Sequence, residues 1–218
     1  MKDPYPKLKE DDFTPFVYQI KSRQLLNRNF NSPQKDFLST IFERRSSRDF
    51  SKLTLIQLEE LLFNSCKISS IDLDDSGFLK SKRVVPSAGA RHPVDLLISL
   101  PDDSRSLNYY NPLDHSLSEL LLEQNKLSNF FCNINENLPI ENACIIWFSI
   151  QTNKTASKYN NPSSLYWKDT GAIMYAIQIM ATYLELKSCP IGTLASNSFN
   201  QLFEESTLIS GGGILVGK

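Results

Sequence analysis

The sequence has few of the residues from which metal centres and disulfide frameworks are built. Its 218 residues include two histidines and four cysteines, namely Cys66, Cys132, Cys144 and Cys189. No two cysteines have C-x-x-C spacing, and none pairs with a histidine in a recognisable ligand motif. This scarcity excludes a recognisable zinc site and predicts reduced thiols in a cytoplasmic protein.

The sequence also lacks an excess of charge and a long apolar run. A net charge of -1 argues against binding to nucleic acid through bulk positive charge. The N-terminal stretch MKDPYPKLKEDD is too charged for a signal peptide. The most apolar long segment, residues 171–186, contains Gln178 and Glu185 and is too short to cross a bilayer. We therefore expect neither a nucleic-acid nor a membrane partner.

Hydrophobic periodicity predicts helices and strands in an irregular order. Five helices are predicted. The first begins at Ser32, which is its N-cap, and the second begins at Thr54, which has capping-box spacing to Gln57. The others begin at about Ser116, cover about 168–187, and lie in SNSFNQLFEES, where Ser198 and Gln201 have capping-box spacing. Strands are predicted at 94–100, 107–110, 143–150 and 213–217. The absence of regular βαβ alternation predicts an α+β domain, one sheet surrounded by helices, over residues 32–218. Residues 1–31 have weak periodicity and are predicted to form an N-terminal arm.

The helix predicted over 168–187 is apolar nearly all round, which is typical of a helix buried inside a protein. The glycine-rich stretch GGGILVG fits no G-x-G-x-x-G register and is predicted to be only a turn into the last strand.

The stretch VVPSAGARHPVDLLISL, residues 84–100, contains a run of small residues between two prolines. Ordinary turns need only one glycine or proline. Two interpretations remain open at this point: a large planar ligand lies against the backbone, or the chain makes a tight turn under a packed sheet.

Three further segments carry residue types suited to binding or catalysis. In ERRSSRDF, Arg44 and Arg48 are four residues apart and suit a phosphate or carboxylate, although a solvated basic helix end is the alternative. KSCPIGTLAS has two interpretations: its free backbone N–H groups are directed at a ligand, or the segment only ends the preceding helix. Lys158 and Tyr159 can serve as a proton donor and acceptor if a pocket lowers their pKa values. Otherwise they are an ordinary pair of surface residues.

Taken in order, these segments resemble the nitroreductase superfamily of flavin enzymes. The matching stretches are RRSSRDFSKLTLIQLEELL, VPSAGARHPVDLLISL, LNYYNPLDHSLSELL, DTGAIMYAIQIMATYLELKSCPIGTL and GILVG, between residues 43 and 217. Within the superfamily they are most similar to the azoline dehydrogenases, which oxidise thiazolines and oxazolines in modified peptides. The resemblance implies a mostly antiparallel sheet and an FMN-binding homodimer with each flavin at the subunit interface.

The resemblance also implies roles for particular residues. Arg44, Ser46 and Arg48, with Arg45 in the same motif, would hold the FMN phosphate and ribityl chain, and Lys218 is the one basic residue after the last strand able to assist. Pro86, Ser87, Ala88 and Gly89 of the second subunit would lie against the flavin, and Pro190, Ile191 and Gly192 would pack along its ring. Lys158 and Tyr159 match a catalytic Lys-Tyr pair of the azoline-oxidising enzymes.

Three functions follow as hypotheses from this resemblance. The first is an FMN-dependent dehydrogenase or oxidase that tailors a peptide or other natural product. The second is an NAD(P)H-dependent reductase of nitro compounds or quinones. The third is a scaffold subunit, with or without flavin, of a biosynthetic complex, which is favoured by Tyr175 and Ala176 where the family often has Gln-Asn.

Overall fold

A seven-stranded sheet forms the centre of the molecule in a computed structural model that describes residues 2–74, 77–101 and 105–218. The strands are β1 Tyr5–Pro6, β2 Ile20–Leu25, β3 Ile68–Leu73, β4 Leu79–Arg83, β5 Val94–Ser99, β6 Asn108–Asn111, β7 Ser116–Leu120, β8 Cys144–Gln151, β9 Tyr159–Asn160, β10 Lys187–Ile191 and β11 Leu208–Gly217. The helices are α1 Phe37–Glu43, α2 Leu55–Cys66, α3 Gln124–Asn135, α4 Thr152–Ala156, α5 Ser163–Tyr183 and α6 Ser196–Phe203.

The central sheet has the order β10-β11-β8-β5-β6-β7-β2, and all its neighbouring strands are antiparallel. Every residue of β5 and β8 is buried, because helices cover both faces of the sheet. Residues of α2 and α5 complete the core on one face, and residues of α3 and α6 complete it on the other. The predicted α+β architecture is therefore confirmed. No helix among the described residues is both long and apolar enough to cross a membrane.

Two small strand pairs connect peripheral segments. The strand β1 pairs with β9, and β3 pairs with β4 in a separate hairpin. The strand β2 pairs with β7 at one edge of the central sheet. Residues 5–6 and 20–25 of the predicted arm therefore form ladders with strands of the predicted domain.

The predicted capping box at Thr54 and Gln57 is confirmed, as are strands within 94–100 and 143–150.

The helix predicted from Ser116 is wrong, because this segment pairs with both β6 and β2 as strand β7. Its leucines fit either period, and strand pairing decides between them. The next helix begins only at Gln124.

Other predicted element ends also differ from the structure. Asp36, not Ser32, is the N-cap of α1, since its side chain accepts a hydrogen bond from the Ser39 amide. Ser198 lies inside α6, where its hydroxyl donates to the Ala195 carbonyl, so it is not a cap. The helix predicted over 168–187 spans Ser163–Tyr183 instead, because Lys187 already belongs to β10.

The three consecutive glycines lie inside β11 rather than in a turn before it. Gly212 has a φ of +79° at a register shift between Ser210 and Gly213. Trp147 of β8 is fully buried beside them, and its indole Nε1 donates to the Ser210 hydroxyl at 3.0 Å. A Cβ atom on Gly213 would lie 2.5 Å from Trp147 Cε3 and 3.0 Å from the Ile146 carbonyl oxygen. Glycine is thus required at position 213 so that the indole can pack against the strand.

The segment of small residues forms a fixed loop, residues 86–93, which we call the proline loop. Gly89, Ala90 and His92 all have left-handed backbone conformations, with φ of +59°, +55° and +43°. The Ser87 hydroxyl accepts a hydrogen bond from the His92 amide at 2.9 Å and donates to the Asp169 carboxylate at 2.6 Å. The loop is therefore held both by its own backbone and by helix α5.

The His92 imidazole anchors the end of the proline loop. Its Nε2 atom lies 2.9 Å from the Ser81 carbonyl oxygen, which accepts the hydrogen that this nitrogen carries. Burial, together with the nearby charge of Arg83, lowers the pKa of His92 to about 4. At neutral pH the ring is therefore uncharged.

We expect Gly213→Ala to lower the free energy of unfolding by about 1–3 kcal/mol, because the new methyl group overpacks the Trp147 ring. Urea denaturation of protein without added flavin measures this change. Gly192→Ala is the matched control, since a Cβ atom there meets nothing within 4 Å. Equal denaturation midpoints for the two variants would contradict the assigned packing.

We expect the protein to lose up to about 2 kcal/mol of stability between pH 7 and pH 5 through His92 alone. The folded-state pKa of His92 lies below its unfolded value, so the unfolded chain binds more protons in this window. Stability is therefore present above about pH 6.5 and is lost as the pH falls toward 4. Denaturation at both pH values should show a smaller loss for His92→Asn than for the wild type, while His115, whose pKa is also lowered by burial, titrates in both proteins.

Candidate functional site

The arginine-rich segment lies beside the edge strand β10. Ser46 forms a parallel bridge with Ser188, and the Ser47 amide donates to the Ser188 carbonyl at 3.0 Å. Arg44, at the end of α1, is held by a hydrogen bond of 3.4 Å from its Nη1 atom to Gln178 of α5. The segment therefore runs along the strand that contains the predicted flavin-contact residues Pro190 and Ile191 and precedes Gly192.

The remaining predicted phosphate ligands lie in the same neighbourhood. Lys218 and Ser51 exchange two backbone hydrogen bonds, at 2.8 and 2.9 Å, which places Lys218 beside the chain that follows Arg48. Arg48 is exposed and has no ion-pair partner in the part of the chain that the structure describes. Arg45 instead donates to the carbonyl oxygens of Phe42 and Arg44, at the end of its own helix.

A second group of predicted residues assembles around the proline loop. A Cβ atom on Gly89 would lie 2.8 Å from Lys158 Cδ and 3.0 Å from the Tyr159 hydroxyl. The two side chains therefore pack directly on the backbone of Gly89, where a larger residue would collide with them. Pro86, Ser87, Ala88 and Gly89 and the predicted catalytic pair are thus neighbours within one chain.

Glu10 joins this second group and was not identified from the sequence. Its Oε1 atom lies 2.9 Å from Lys158 Nζ, and its other carboxylate oxygen accepts from Arg91. Burial alone raises the pKa of Glu10, but hydrogen bonds from Lys158 and Arg91 lower it below its ordinary value. Lys158 therefore faces an ionised carboxylate. No pattern in the charged N-terminal segment distinguishes Glu10 from its acidic neighbours, so sequence reasoning had no signal for it.

The segment that carries Glu10 lies along the predicted catalytic pair. Tyr5 and Pro6 of β1 pair with Asn160 and Tyr159, and the Lys7 amide donates to the Lys158 carbonyl at 2.8 Å. The backbone around Lys158 is therefore held by residues of the predicted arm.

Asp169, the second residue missed from the sequence, supports the proline loop from α5. It accepts hydrogen bonds from the Ser87 hydroxyl at 2.6 Å and from the Ala88 amide at 3.3 Å. Burial raises the pKa of Asp169, and the two hydrogen bonds oppose that rise. Its position fixes the loop relative to the helix.

Helix α5 separates the two groups. Asp169 supports the proline loop near one end of the helix, and Gln178 holds Arg44 nine residues later. At a rise of about 1.5 Å per residue, these positions are roughly 13 Å apart along the axis. The structure thus gathers the predicted residues into two clusters in one chain rather than into a single one.

One face of α5 is exposed, although the sequence predicted a helix buried all round. Trp167, Gly171 and Tyr175 recur every four residues on this face, and the two aromatic side chains are 41% and 51% exposed. The neighbouring helix α1 exposes three further large side chains, Phe37, Leu38 and Phe42. Several large apolar side chains exposed on two neighbouring helices are typical of an interaction site.

The thiols do not contribute to either cluster. All four cysteines are free, and Cys189 is buried in the core. Within residues 2–74, 77–101 and 105–218, no group of three or more His, Cys, Asp or Glu side chains is placed to hold a metal ion. The polar side chains gathered in the two clusters are those of Arg, Ser, Lys, Tyr, Glu and Asp residues.

Comparison with solved structures gives the same architecture. A candidate nitroreductase from Ralstonia eutropha superposes with a TM-score of 0.67 at 15% identity, covering 97% of this chain and 98% of that one. A chain of the Escherichia coli microcin synthetase McbBCD complex, with truncated pro-MccB17 bound, gives 0.60 at 16% identity over 89% of this chain and 77% of that one. A candidate nitroreductase from Desulfovibrio desulfuricans, in complex with FMN, gives 0.55 at 15% identity over 85% and 87%.

Comparison of the sequence itself gives a family. No curated protein matches the chain significantly. The model of the nitroreductase family matches residues 41–218, which includes the arginine-rich segment, the proline loop, α5 and the last strand. The chain therefore belongs to the nitroreductase family.

Proposed function

We propose that this protein is an FMN-dependent oxidoreductase that works as a homodimer and oxidises an azoline-type ring in a peptide or another natural product. The observation that carries the proposal is the packing of Lys158 and Tyr159 on the backbone of Gly89. This contact puts two side chains capable of proton transfer beside the loop that would lie against a flavin.

The arginine-rich segment fits an FMN phosphate. Arg44 and Arg48 offer planar guanidinium donors, and Ser46 between them offers a hydroxyl at the exposed edge of the sheet. A phosphate placed there would complement the two cationic side chains. Pro190, Ile191 and Gly192 would then lie farther along the same edge, where Gly192 is exposed and its Cα leaves open space.

The exposed face of α5 and α1 supports a homodimer. A second copy of the chain would cover its apolar side chains, including Trp167 and Tyr175. The two site clusters are separated along α5 within one chain. A dimer through this face would allow the proline loop of one subunit to approach the arginine-rich segment of the other.

When bound, FMN would supply the redox chemistry, and the protein would supply binding, orientation and proton transfer. Azoline oxidation also requires loss of a proton from the ring Cα atom. Lys158 and Tyr159 are assigned to that proton transfer, in which one of them must first be deprotonated to accept the proton, because their side chains lie together on the proline loop. Glu10 is assigned to orienting the Lys158 side chain, whose Nζ atom lies 2.9 Å from its carboxylate.

An NAD(P)H-dependent reduction of nitro compounds or quinones is the second candidate, favoured by the neighbours described as nitroreductases. A scaffold role in a biosynthetic complex is the third, favoured by the likeness to a chain of the McbBCD assembly.

Anaerobic mixing of FMN-loaded protein with NADPH separates the first two candidates. Rapid flavin bleaching by NADPH supports the reductase, and bleaching only by a thiazoline peptide supports the azoline dehydrogenase. Protein that takes up no FMN supports the scaffold.

We expect Arg44→Ala to weaken FMN binding by about tenfold to a hundredfold, through loss of a charge-assisted hydrogen bond to the phosphate. Quenching of flavin fluorescence during titration measures the Kd. Arg23→Ala is the control, because Arg23 lies on β2 at the opposite edge of the sheet. An unchanged Kd in Arg44→Ala would contradict the phosphate site.

We expect Lys158→Ala and Tyr159→Phe each to slow oxidation of a thiazoline-containing peptide by about a hundredfold, with FMN still bound. Anaerobic flavin bleaching in single-turnover experiments measures the oxidation step. Lys9→Ala is the control, since Lys9 is exposed in the segment that carries Glu10. Full activity in both site variants would refute the assignment of the pair.

A further inference from the structure

A cavity of about 280 Å³ lies under the proline loop, bounded also by β4, β5 and β6. It has room for several water molecules or for a small organic molecule. Much of its wall is apolar and comes from residues that include Cys66, Leu79, Val85, Leu96 and Ile173.

Arg83 lies in the wall of this cavity. Its Nε atom donates to the Ser81 hydroxyl at 2.9 Å. Among the described residues it forms no ion pair, and this bond to Ser81 accounts for one of its five N–H donors. The partly buried guanidinium group of Arg83 has no carboxylate within ion-pair distance among these residues, and Asp95 attracts it only from farther away, so the site favours an anion brought by a ligand.

The other charged groups in the wall already have partners. Lys154 Nζ lies 3.4 Å from Asp95, which also accepts hydrogen bonds from Gln151 at 2.5 Å and Tyr18 at 3.1 Å. Asp169 is held by the Ser87 hydroxyl and the Ala88 amide.

Arg91, also in the wall, pairs with Glu10 and stacks over the Phe78 ring at 4.0 Å. Its Nε atom is nevertheless buried without a hydrogen-bond acceptor. Among the wall residues that the structure describes, Arg83 is therefore the cation that forms no ion pair, and Arg91 has a spare donor.

We propose that this cavity binds an organic monocarboxylate with a small apolar or aromatic body, its carboxylate on the guanidinium group of Arg83. A carboxylate matches the planar fork of guanidinium donors. The Arg83 guanidinium group would pair with one carboxylate, and the apolar wall would accommodate the body of the ligand. The neutral His92 ring at the wall adds no competing charge.

The proposed pocket shares Pro86 and Ser87 with the residues assigned to the flavin ring, but its anion-binding group, Arg83, is not part of the proposed phosphate site. Arg83 belongs to β4, whereas the arginine-rich segment runs along β10 at an edge of the central sheet. Ser87 and Pro86 contribute to the wall from the proline loop. A bound carboxylate would therefore lie beneath the loop, and its binding requires no flavin.

Fluorine NMR titration of the full chain with 4-fluorobenzoate, without added FMN, tests the proposal. We expect saturable binding by the wild type and at least about tenfold weaker binding by Arg83→Gln. Lys82→Gln is the matched control, since Lys82 is the exposed neighbour of Arg83 on β4, and it should bind as the wild type does. On the wild type, 4-fluorobenzyl alcohol should also bind at least about tenfold more weakly, which tests the role of the carboxylate without any substitution.

Absence of saturable 4-fluorobenzoate binding, or equal binding by Arg83→Gln and the wild type, would overturn the proposal. Displacement of the probe by equimolar inorganic phosphate would overturn the assignment to an organic carboxylate. Displacement by FMN would overturn the proposal of a separate pocket, because it would show that the cavity is part of the flavin site. Binding that survives in Arg44→Ala would support a separate pocket even if the proposed FMN site were wrong.

Discussion

The pairing of β5 with β8 is the interaction on which the rest of the structure depends. Both strands are buried on both faces, so their backbone polar groups rely on the ladder rather than on water. Antiparallel register pairs Val94, at the start of β5, with Ile150, near the end of β8. The proline loop enters β5 at that point, and the segment leading to Lys158 leaves β8 there. One register therefore brings a loop and a side-chain pair together although more than sixty residues separate them in the sequence.

Local chemistry made much of this fold predictable. The capping box of Thr54 depends only on residues close to it in sequence. The strands β5 and β8 are buried, and their apolar residues indicate this burial in the sequence. The segment from Ser116 was mistaken for a helix because its leucines fit two periods and only pairing with β2 and β6 selects one. Glu10 and Asp169 could not be found in this way, since their significance arises from partners far along the chain.

Helix α5 shows a different limit of sequence reasoning. Its pattern correctly indicated that apolar residues cover nearly the whole circumference, but it carries no information on what covers each face. Tertiary packing buries Ile177 and Ala181, whereas Trp167 and Tyr175 remain exposed in the single chain. The same helix places Asp169 against the proline loop and Gln178 against Arg44. Its rigidity thus sets the distance between the two clusters.

The short ladder between β1 and β9 has a consequence for how the molecule opens. It joins residues that are more than 150 positions apart, yet each strand has only two residues. The segment before β2 is held at β1 by only two residue pairs and by the Glu10 ion pairs, whereas β2 is anchored in the central sheet. Local opening of this segment therefore costs less free energy than unfolding of the central sheet. Lys158 can thus become accessible on the timescale of local fluctuations while the buried strands that position it stay intact.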